Sequence, residues 1–279
     1  MAFPETRQTM IRRLVAEGQE RDWHQFMSDY WMPVCGFARR WGRLGAEDAE
    51  DVASATFMAI VQNRLIERWA ANRSSKLRTL LCTVVRQVIA NLARVRSGRE
   101  RLMREHFQDL VAGVGGSTVS LEDAVVEDEH VFDGLWAQSM LQQAVEALMA
   151  EYHEAGKGDY FRVLYGRICE DMTMPQIGEA LGITTTTAEN YYKSARRRME
   201  SKLRELVKER VQRYCDPEML SDEFEATWEE IGAHLLSLGG LEEAILKACD
   251  DHEPAAASRS HAEAITRTLR RLAEPPEGH

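Results

Sequence analysis

The side chains best suited to chemistry in this sequence are polar and cationic groups concentrated in one short stretch near residue 190. The set comprises Thr185, Thr186, Thr187, Glu189, Asn190, Lys193, Arg196 and Arg197. Hydroxyl, amide and ammonium groups can hydrogen-bond base edges in a major groove, and guanidinium groups pair with phosphates. We expect Glu189, Asn190 and Lys193 to read bases, and residues 196–198 to contact mainly phosphates.

A helix-turn-helix is the element that would position this set. Gly182 marks the turn between two helical patterns, and a hydroxyl of Thr184 or Thr185 can cap the second helix. The positions that such a motif buries carry apolar or small residues: Ile177, Gly178, Leu181, Ile183, Ala188 and Tyr192. An αα-hairpin with a solvated basic face produces the same pattern, so the remainder of the chain has to decide between the two.

The composition favours an all-α protein with one to three small domains. The chain has 279 residues, of which 44% are hydrophobic and 29% charged, as is ordinary for a globular protein. It contains only 7 prolines, and the helix formers Ala, Leu, Glu and Arg are abundant. The net charge of −10 argues against a nucleic-acid-binding protein. However, local patches govern docking on DNA, and residues 86–104 hold six arginines against one glutamate.

The sequence offers little support for an enzyme or a cofactor. The five cysteines are scattered without a C-x-x-C pair, and no His lies at ligand spacing, so we expect neither a zinc site nor a disulfide framework. His, Ser and Cys show no triad-like spacing, and the GVGG sequence at 113–116 lacks the Lys of a phosphate-binding loop. The N-terminus lacks a signal-peptide core, and no apolar run approaches the ~20 residues that cross a bilayer. We therefore expect a cytoplasmic protein without a membrane partner.

The first hundred residues hold several helical patterns. They cover Met10–Glu17, Trp23–Leu44 with a kink expected at Pro33, a run after Gly45, and Leu77–Arg96. Three- and four-residue steps predict buried stripes at Phe26, Tyr30, Val34, Phe37, Trp41, Val52, Phe57, Ile60, Val61, Leu65, Leu80, Leu81, Val84, Val88 and Leu92. An aromatic stripe of this kind is typical of a core.

Two polar features of this part of the chain could serve a partner. Glu47, Asp48, Glu50 and Asp51 crowd one helical turn, where carboxylates also suit the positive end of the helix dipole. Residues 70–76 predict a polar loop that precedes a basic helix face. Its aromatic, amide and guanidinium groups could stack on and hydrogen-bond unpaired bases. The set comprises Trp69, Asn72, Arg73, Arg78, Arg86, Gln87, Asn91 and Arg94.

The pattern breaks near residue 106, and we expect a flexible acidic linker over 106–133. This stretch is first Gly-rich and then acidic, with six acids between Glu122 and Asp133. Beyond the helix-turn-helix, a tail at 215–279 carries an apolar stripe: Phe224, Trp228, Ile231 and Leu235. We expect a short helix over 241–248, a polar break over 252–260 and a last helix over 262–272. The tail either packs permanently on the second domain or the linker, or folds over a binding surface and regulates access.

The order of these features resembles a bacterial sigma factor of the extracytoplasmic-function (ECF) group. DAEDVASATF, which begins at Asp48, resembles the family's D-A-E-D segment, with Ser54 and Ala55 in place of Gln-x-Glu. LLCTVVRQVIANLARVR resembles the family's W-L-x-x-I-A-R-N helix, with Leu80 in place of Trp. The stretch from Met174 resembles the family's helix-turn-helix. The likeness covers about residues 10 to 210.

The resemblance implies four regions. These are a sigma region 2-like helical domain at 5–105, the linker at 106–133, a sigma region 4-like helix-turn-helix domain at 134–214 and the tail at 215–279. The polymerase clamp would bind Asp48, Glu50, Asp51 and Phe57. The polar loop and basic helix would contact the minus-ten element, and the helix-turn-helix the minus-thirty-five element. The implied partners are core RNA polymerase and promoter DNA, with the tail a candidate docking site for an anti-sigma factor or another regulator.

Two other functions fit part of the sequence. A free-standing transcription regulator would use its helix-turn-helix on an operator without polymerase, but it leaves the acidic turn and the basic helix unexplained. An adaptor or anti-sigma-type interaction protein would bind the transcription machinery without reading promoters. The replacement of family residues at Ser54, Ala55 and Leu80 keeps that alternative open.

Overall fold

The computed structural model describes residues 10–17, 19–71, 77–96, 122–215, 217–250 and 254–273. All regular elements within these ranges are helical, which confirms the predicted all-α class. The α-helices are α1 Met10–Glu17, α2 Glu20–Gly42, α3 Ala46–Gln62, α4 Leu65–Ala71, α5 Leu77–Arg96, α6 Glu122–Glu154, α7 Gly158–Ile168, α8 Met174–Leu181, α9 Thr185–Tyr214, α10 Leu220–Ser237, α11 Leu241–Asp250 and α12 Pro254–Ala273.

The chain forms two compact units whose limits differ from the predicted domains. One comprises Met1–Trp136 and Ser260–His279, and the other comprises Ala137–Arg259. The tail predicted at 215–279 is therefore divided between the units. Its helices α10 and α11 belong to the second unit, and α12 from Ser260 onward belongs to the first.

Aromatic side chains fill the core of the first unit, as their spacing predicts. Trp31 of α2 stacks on Phe57 of α3 with ring centroids 5.5 Å apart, and Phe26 meets the same Phe57 ring edge-on at 5.9 Å. Two predicted core residues are instead exposed, Trp41 by 44% and Leu92 by 38%. Each lies in the last two turns of a long helix.

The acidic part of the predicted linker is helical rather than irregular. Residues 122–133 begin α6, and Phe132 is buried against Phe37, with ring centroids 6.1 Å apart. This segment contains neither Gly nor Pro and holds three Glu residues, so nothing in its backbone opposes a helix. Burial of Phe132 adds the tertiary contact that stabilises it. The predicted linker residues 106–121 lie outside the described part of the chain.

A ladder of tyrosines joins three helices of the second unit. Tyr160 of α7 stacks on Tyr152 of α6 at 5.5 Å and on Tyr191 of α9 at 3.9 Å between ring centroids. These contacts fix the start of the long helix α9 on the helices that precede it. Such a platform holds the exposed side chains of α9 in a defined orientation.

The apolar stripe predicted for α10 is only partly buried. Phe224 and Ile231 of α10 are buried, whereas Trp228 and Leu235 are half-buried. In α11, Ala244 and Ile245 are buried, and this helix packs on α7. The break predicted at 252–260 is helical from Pro254 onward, since its Ala-rich sequence favours a helix once past the proline at the N-terminus.

Candidate nucleic-acid interface

A helix-turn-helix lies in the second unit at the predicted residues. Helix α8 ends at Leu181, Gly182 takes the left-handed conformation with φ of 67°, and α9 begins at Thr185. The Thr184 Oγ1 atom accepts a hydrogen bond from the Thr187 backbone N–H at 3.1 Å, which selects Thr184 as the cap between the two threonines considered. The turn glycine and the cap thus define where the exposed side chains of α9 start.

The two helices of the motif cross closely because residue 178 has no side chain. A Cβ atom at Gly178 would lie 2.9 Å from the Ile183 carbonyl oxygen. Ile177 and Ala188 are buried together with Val163 of α7. The other predicted inward residues, Leu181, Ile183 and Tyr192, are partly buried against the same cluster. The inward set predicted from the sequence is therefore confirmed.

The predicted DNA-reading residues lie on α9, and most of them are exposed. Positions 186, 190, 193 and 197 follow three- and four-residue steps, so they form one stripe along the first turns of the helix. The exposed members are Thr185, Thr186, Glu189, Asn190, Lys193, Arg196 and Arg197. Thr187 differs, because it is half-buried and its hydroxyl lies 2.8 Å from that of Thr184 within the helix cap.

Arg196 is paired with an acid of the tail. Its Nε atom lies 3.1 Å from Oε1 of Glu242, in the first turn of α11. The same carboxylate accepts a hydrogen bond from the Tyr192 hydroxyl, and burial together with this bond raises the pKa of Tyr192 to about 12. The predicted phosphate contact thus already has an intramolecular anion beside it.

Arg198, expected to contact phosphate, is instead part of an ion-pair network that holds α9 to α6. Its Nε and Nη2 atoms donate to the two carboxylate oxygens of Glu151 at 2.6 and 2.7 Å, and Nη1 donates to Glu205 at 2.7 Å. Lys202 lies 2.5 Å from the same Glu151 carboxylate. The hydrogen bonds from Arg198 and Lys202 lower the pKa of Glu151 to about 2. Because its planar guanidinium is already bound by two carboxylates, Arg198 has a structural role, and the predicted contact with phosphate does not extend to it.

The minus-ten residues predicted in the first unit are only partly consistent with an open interface. Arg78 forms an ion pair with Asp133 and is largely buried, and the Arg86 guanidinium lies 5.8 Å from the centroid of the Trp41 ring. Both contacts occupy cationic groups that the prediction assigns to DNA. The remaining described members are half-buried: Trp69, Gln87 and Asn91. Asn72, Arg73 and the side chain of Arg94 lie outside the described residues.

The acidic turn at the start of α3 is accessible, but its aromatic neighbour is not. Asp51 is exposed, and Asp48 and Glu50 are half-buried. Phe57 is 1% exposed and stacks on Trp31, so its predicted contact with polymerase is corrected to a role in the core. A phenyl ring three turns along the helix faces the core because α3 packs against α2 on that side.

Three tertiary contacts, two within the second unit and one within the first, have no signal in the local sequence pattern. Glu242 pairs with Arg196, Arg204 lies 5.3 and 5.5 Å from the ring centroids of Phe224 and Trp228, and Ser54 of α3 hydrogen-bonds Thr268 of α12. The partners in each pair are separated by at least 20 residues in the chain. Helical periodicity shows which residues share a face, but it does not show what that face meets.

An apolar groove of about 360 Å³ also lies on the helix-turn-helix unit, between α7 and α8. Phe161, Tyr165, Met172 and Leu181 contribute to its lining, and Arg162 at its edge pairs with Asp159 at 2.9 Å. Its lining is predominantly hydrocarbon and aromatic. The groove therefore has the chemistry of a packing surface for apolar side chains.

Comparison of the chain with protein-family models, with curated proteins and with solved structures found no match. The resemblance to ECF sigma factors therefore rests on the quoted motifs. Within the described residues, no helix is both long and apolar enough to traverse a bilayer.

Proposed function

We propose that this protein is a cytoplasmic sigma factor that binds core RNA polymerase and directs it to promoters. In this proposal, α9 reads the upstream promoter element in the major groove of duplex DNA. The acidic turn of α3 docks on basic residues of the polymerase clamp. The loop and helix that follow α4 contact the melted strand.

The observation that carries the proposal is the exposed face of α9 beside the Gly182 turn. Its first four turns present hydroxyl, amide, ammonium and guanidinium groups, while Ala188 on the opposite side is fully buried. A helix of this chemistry, fixed by a preceding helix, fits the major groove and can hydrogen-bond base edges. Lys193 and Arg197 supply cations for the flanking phosphates.

The negative charge of the whole chain is compatible with this role. A net charge of −10 opposes tight binding of the isolated protein to DNA. A polymerase that supplies positive surface removes this difficulty, and acids such as Asp48 and Asp51 then favour association with it. The proposal therefore expects strong promoter recognition only in the presence of the polymerase.

The experiment that tests the function is transcription from a genomic promoter library by core polymerase of the source organism, with and without the protein. We expect a distinct set of start sites that share an upstream element and appear only when the protein is added. Tight operator binding without polymerase, and no new start sites, would instead support the free-standing regulator.

A matched pair of variants keeps this test specific. Asn190→Ala should change which promoters are selected, whereas Asn63→Ala should not, because Asn63 caps α3 through a hydrogen bond to the Ala59 carbonyl in the other unit. Polymerase binding by the wild-type protein without promoter selection would support the adaptor class.

A further inference from the structure

The start of α11 brings a carboxylate onto the proposed DNA-reading face of α9. Glu242 Oε1 lies 3.1 Å from Arg196 Nε, and Glu242 also accepts the hydrogen bond of the Tyr192 hydroxyl, one turn earlier on α9. Both members of the ion pair are about half exposed. Glu242 therefore occupies the anion position that a DNA phosphate would take beside Arg196.

The tail holds this carboxylate in place through its own packing. Gly239 and Gly240, with φ of 101° and 111°, form the turn that leads into α11. Ala244, Ile245 and Ala248 then bury the inner face of α11 within the second unit. Because the helix is anchored by these apolar contacts, Glu242 is presented to Arg196 at a high effective concentration.

A second tail helix, α10, packs against α9 nearer to the C-terminus of α9. The Arg204 guanidinium lies over the rings of Phe224 and Trp228 of α10, at 5.3 and 5.5 Å from their centroids. Phe224 and Ile231 are buried, and Trp228 is half-buried. Two successive tail helices thus contact α9, one at its reading end and one along its C-terminal half.

We propose that Glu242 is an intramolecular competitor of DNA phosphate for Arg196, and that duplex binding by α9 requires its displacement. The inference rests on the proposed function, since it concerns the regulation of the same face. An acid fixed beside a phosphate-binding arginine weakens binding to all sequences alike, because phosphate contacts carry no sequence information. Its release, by the polymerase or by a partner of the tail, strengthens binding.

Full-length Glu242→Gln provides the test, with Glu243→Gln as its matched control. Both acids lie in the first turn of α11, so both substitutions remove one charge and one interaction with the helix dipole. Point variants are preferred to truncation, because removal of the tail uncovers the apolar residues of α9 and α7. The probe is a fluorescent 30-base-pair duplex of random sequence, titrated at several salt concentrations.

We expect Glu242→Gln to bind this duplex about two- to fivefold more tightly than wild type, in proportion to a half-exposed ion pair. Its salt dependence should steepen by about one ion, because one more phosphate is contacted. Glu243→Gln should show less than half of this gain. In an Arg196→Gln background, Glu242→Gln should give no more gain than Glu243→Gln.

An equal gain for the two Gln variants would overturn the inference, since it would reflect net charge alone. Duplex binding by wild type without any gain in Glu242→Gln would also overturn it while leaving the proposed function intact. Absence of duplex binding by every variant would overturn the inference as well, and if the transcription assay also showed no promoter selection, the proposed function would fail with it.

A spectroscopic titration verifies the contact in the free protein. Loss of the Glu242 carboxylate should lower the pKa of Tyr192 from about 12 toward the ordinary value for tyrosine, as followed by phenolate absorbance. A Tyr192→Phe variant identifies the transition that belongs to this residue. An unchanged Tyr192 titration in Glu242→Gln would show that the carboxylate does not contact α9 in solution, and the inference would fail.

Discussion

Ser54 of α3 and Thr268 of α12 share a buried hydrogen bond, with 2.8 Å between their hydroxyl oxygens, although 214 residues separate them in the chain. Thr268 Oγ1 also donates to the Ala264 carbonyl oxygen at 2.9 Å. Since a hydroxyl has one proton, Ser54 is the donor to Thr268. The last helix is therefore joined to the helix that bears the acidic turn by a bond whose direction is defined.

This direction predicts unequal effects of two substitutions. Thr268→Val keeps the shape of the side chain but leaves the buried Ser54 hydroxyl without an acceptor, which should cost ~1–3 kcal/mol of unfolding free energy. Ser54→Ala should cost less, about 0.5–1.5 kcal/mol, because Thr268 keeps its bond to Ala264. Urea unfolding followed by circular dichroism measures both. The double variant should resemble Ser54→Ala, and a fully additive loss would contradict the hydrogen bond itself. A larger loss in Ser54→Ala than in Thr268→Val would contradict the assignment of the donor.

The helix crossing predicts different costs at two glycines of the helix-turn-helix. Gly178→Ala places a Cβ atom 2.9 Å from a backbone oxygen, so the helices must separate, at ~1–3 kcal/mol. Gly182→Ala meets no atom within 4 Å and suffers only from its left-handed backbone, at ~1 kcal/mol. Thermal unfolding should rank Gly178→Ala as the less stable variant. The opposite ranking would mean that the turn, rather than the crossing, limits the motif.

The acidic turn of α3 predicts a loss of polymerase binding. Replacement of Asp48, Glu50 and Asp51 by Asn, Gln and Asn should abolish co-purification with core polymerase. Each exposed pair contributes under ~1 kcal/mol, but several on one patch combine and accelerate encounter. The control replaces the exposed tail acids Asp222, Glu223 and Glu229 and should co-purify normally. Undiminished binding of the α3 variant with unchanged helical content would remove this docking surface.

The reading face of α9 predicts separable roles for an amide and a guanidinium. Asn190→Ala should cost ~1–3 kcal/mol on the preferred promoter and relax selection at one base pair. Arg197→Ala should weaken all duplexes alike and reduce the salt dependence by about one ion. Selection from a pool of randomised upstream elements, bound by the polymerase complex, measures both. If Arg197→Ala altered selection while Asn190→Ala did not, the two roles would have to be exchanged.

Local signals explain why the helix-turn-helix could be predicted and the tail contacts could not. Gly182, Thr184 and Gly178 act on neighbours within a few residues, so their types and spacing define the turn, the cap and the crossing. Glu242 acts on a helix that begins 57 residues earlier in the chain, at Thr185, and its side chain has the same type as many solvated acids. No periodicity distinguishes it from Glu243.

The acidic run at the start of α6 shows why an acidic composition alone does not indicate a linker. A Gly-rich stretch followed by a run of carboxylates predicts a flexible linker. However, the same residues are acceptable helix formers, and Phe132 supplies an apolar anchor. In the first unit, Trp41 and Leu92 show the converse, since continuation of an apolar stripe does not guarantee burial at the helix end.

The division of the tail between the two units has a consequence for synthesis on the ribosome. The first unit includes Ser260–His279, so its α3 surface around Ser54 stays uncovered until the last helix has emerged. At about 5–20 residues per second, the chain beyond residue 136 takes on the order of ten seconds to translate. During that interval the N-terminal helices lack α12 as a packing partner, because the chain of the second unit, residues 137–259, is made before it. The α3 surface around Ser54 is therefore exposed on the nascent chain throughout that interval.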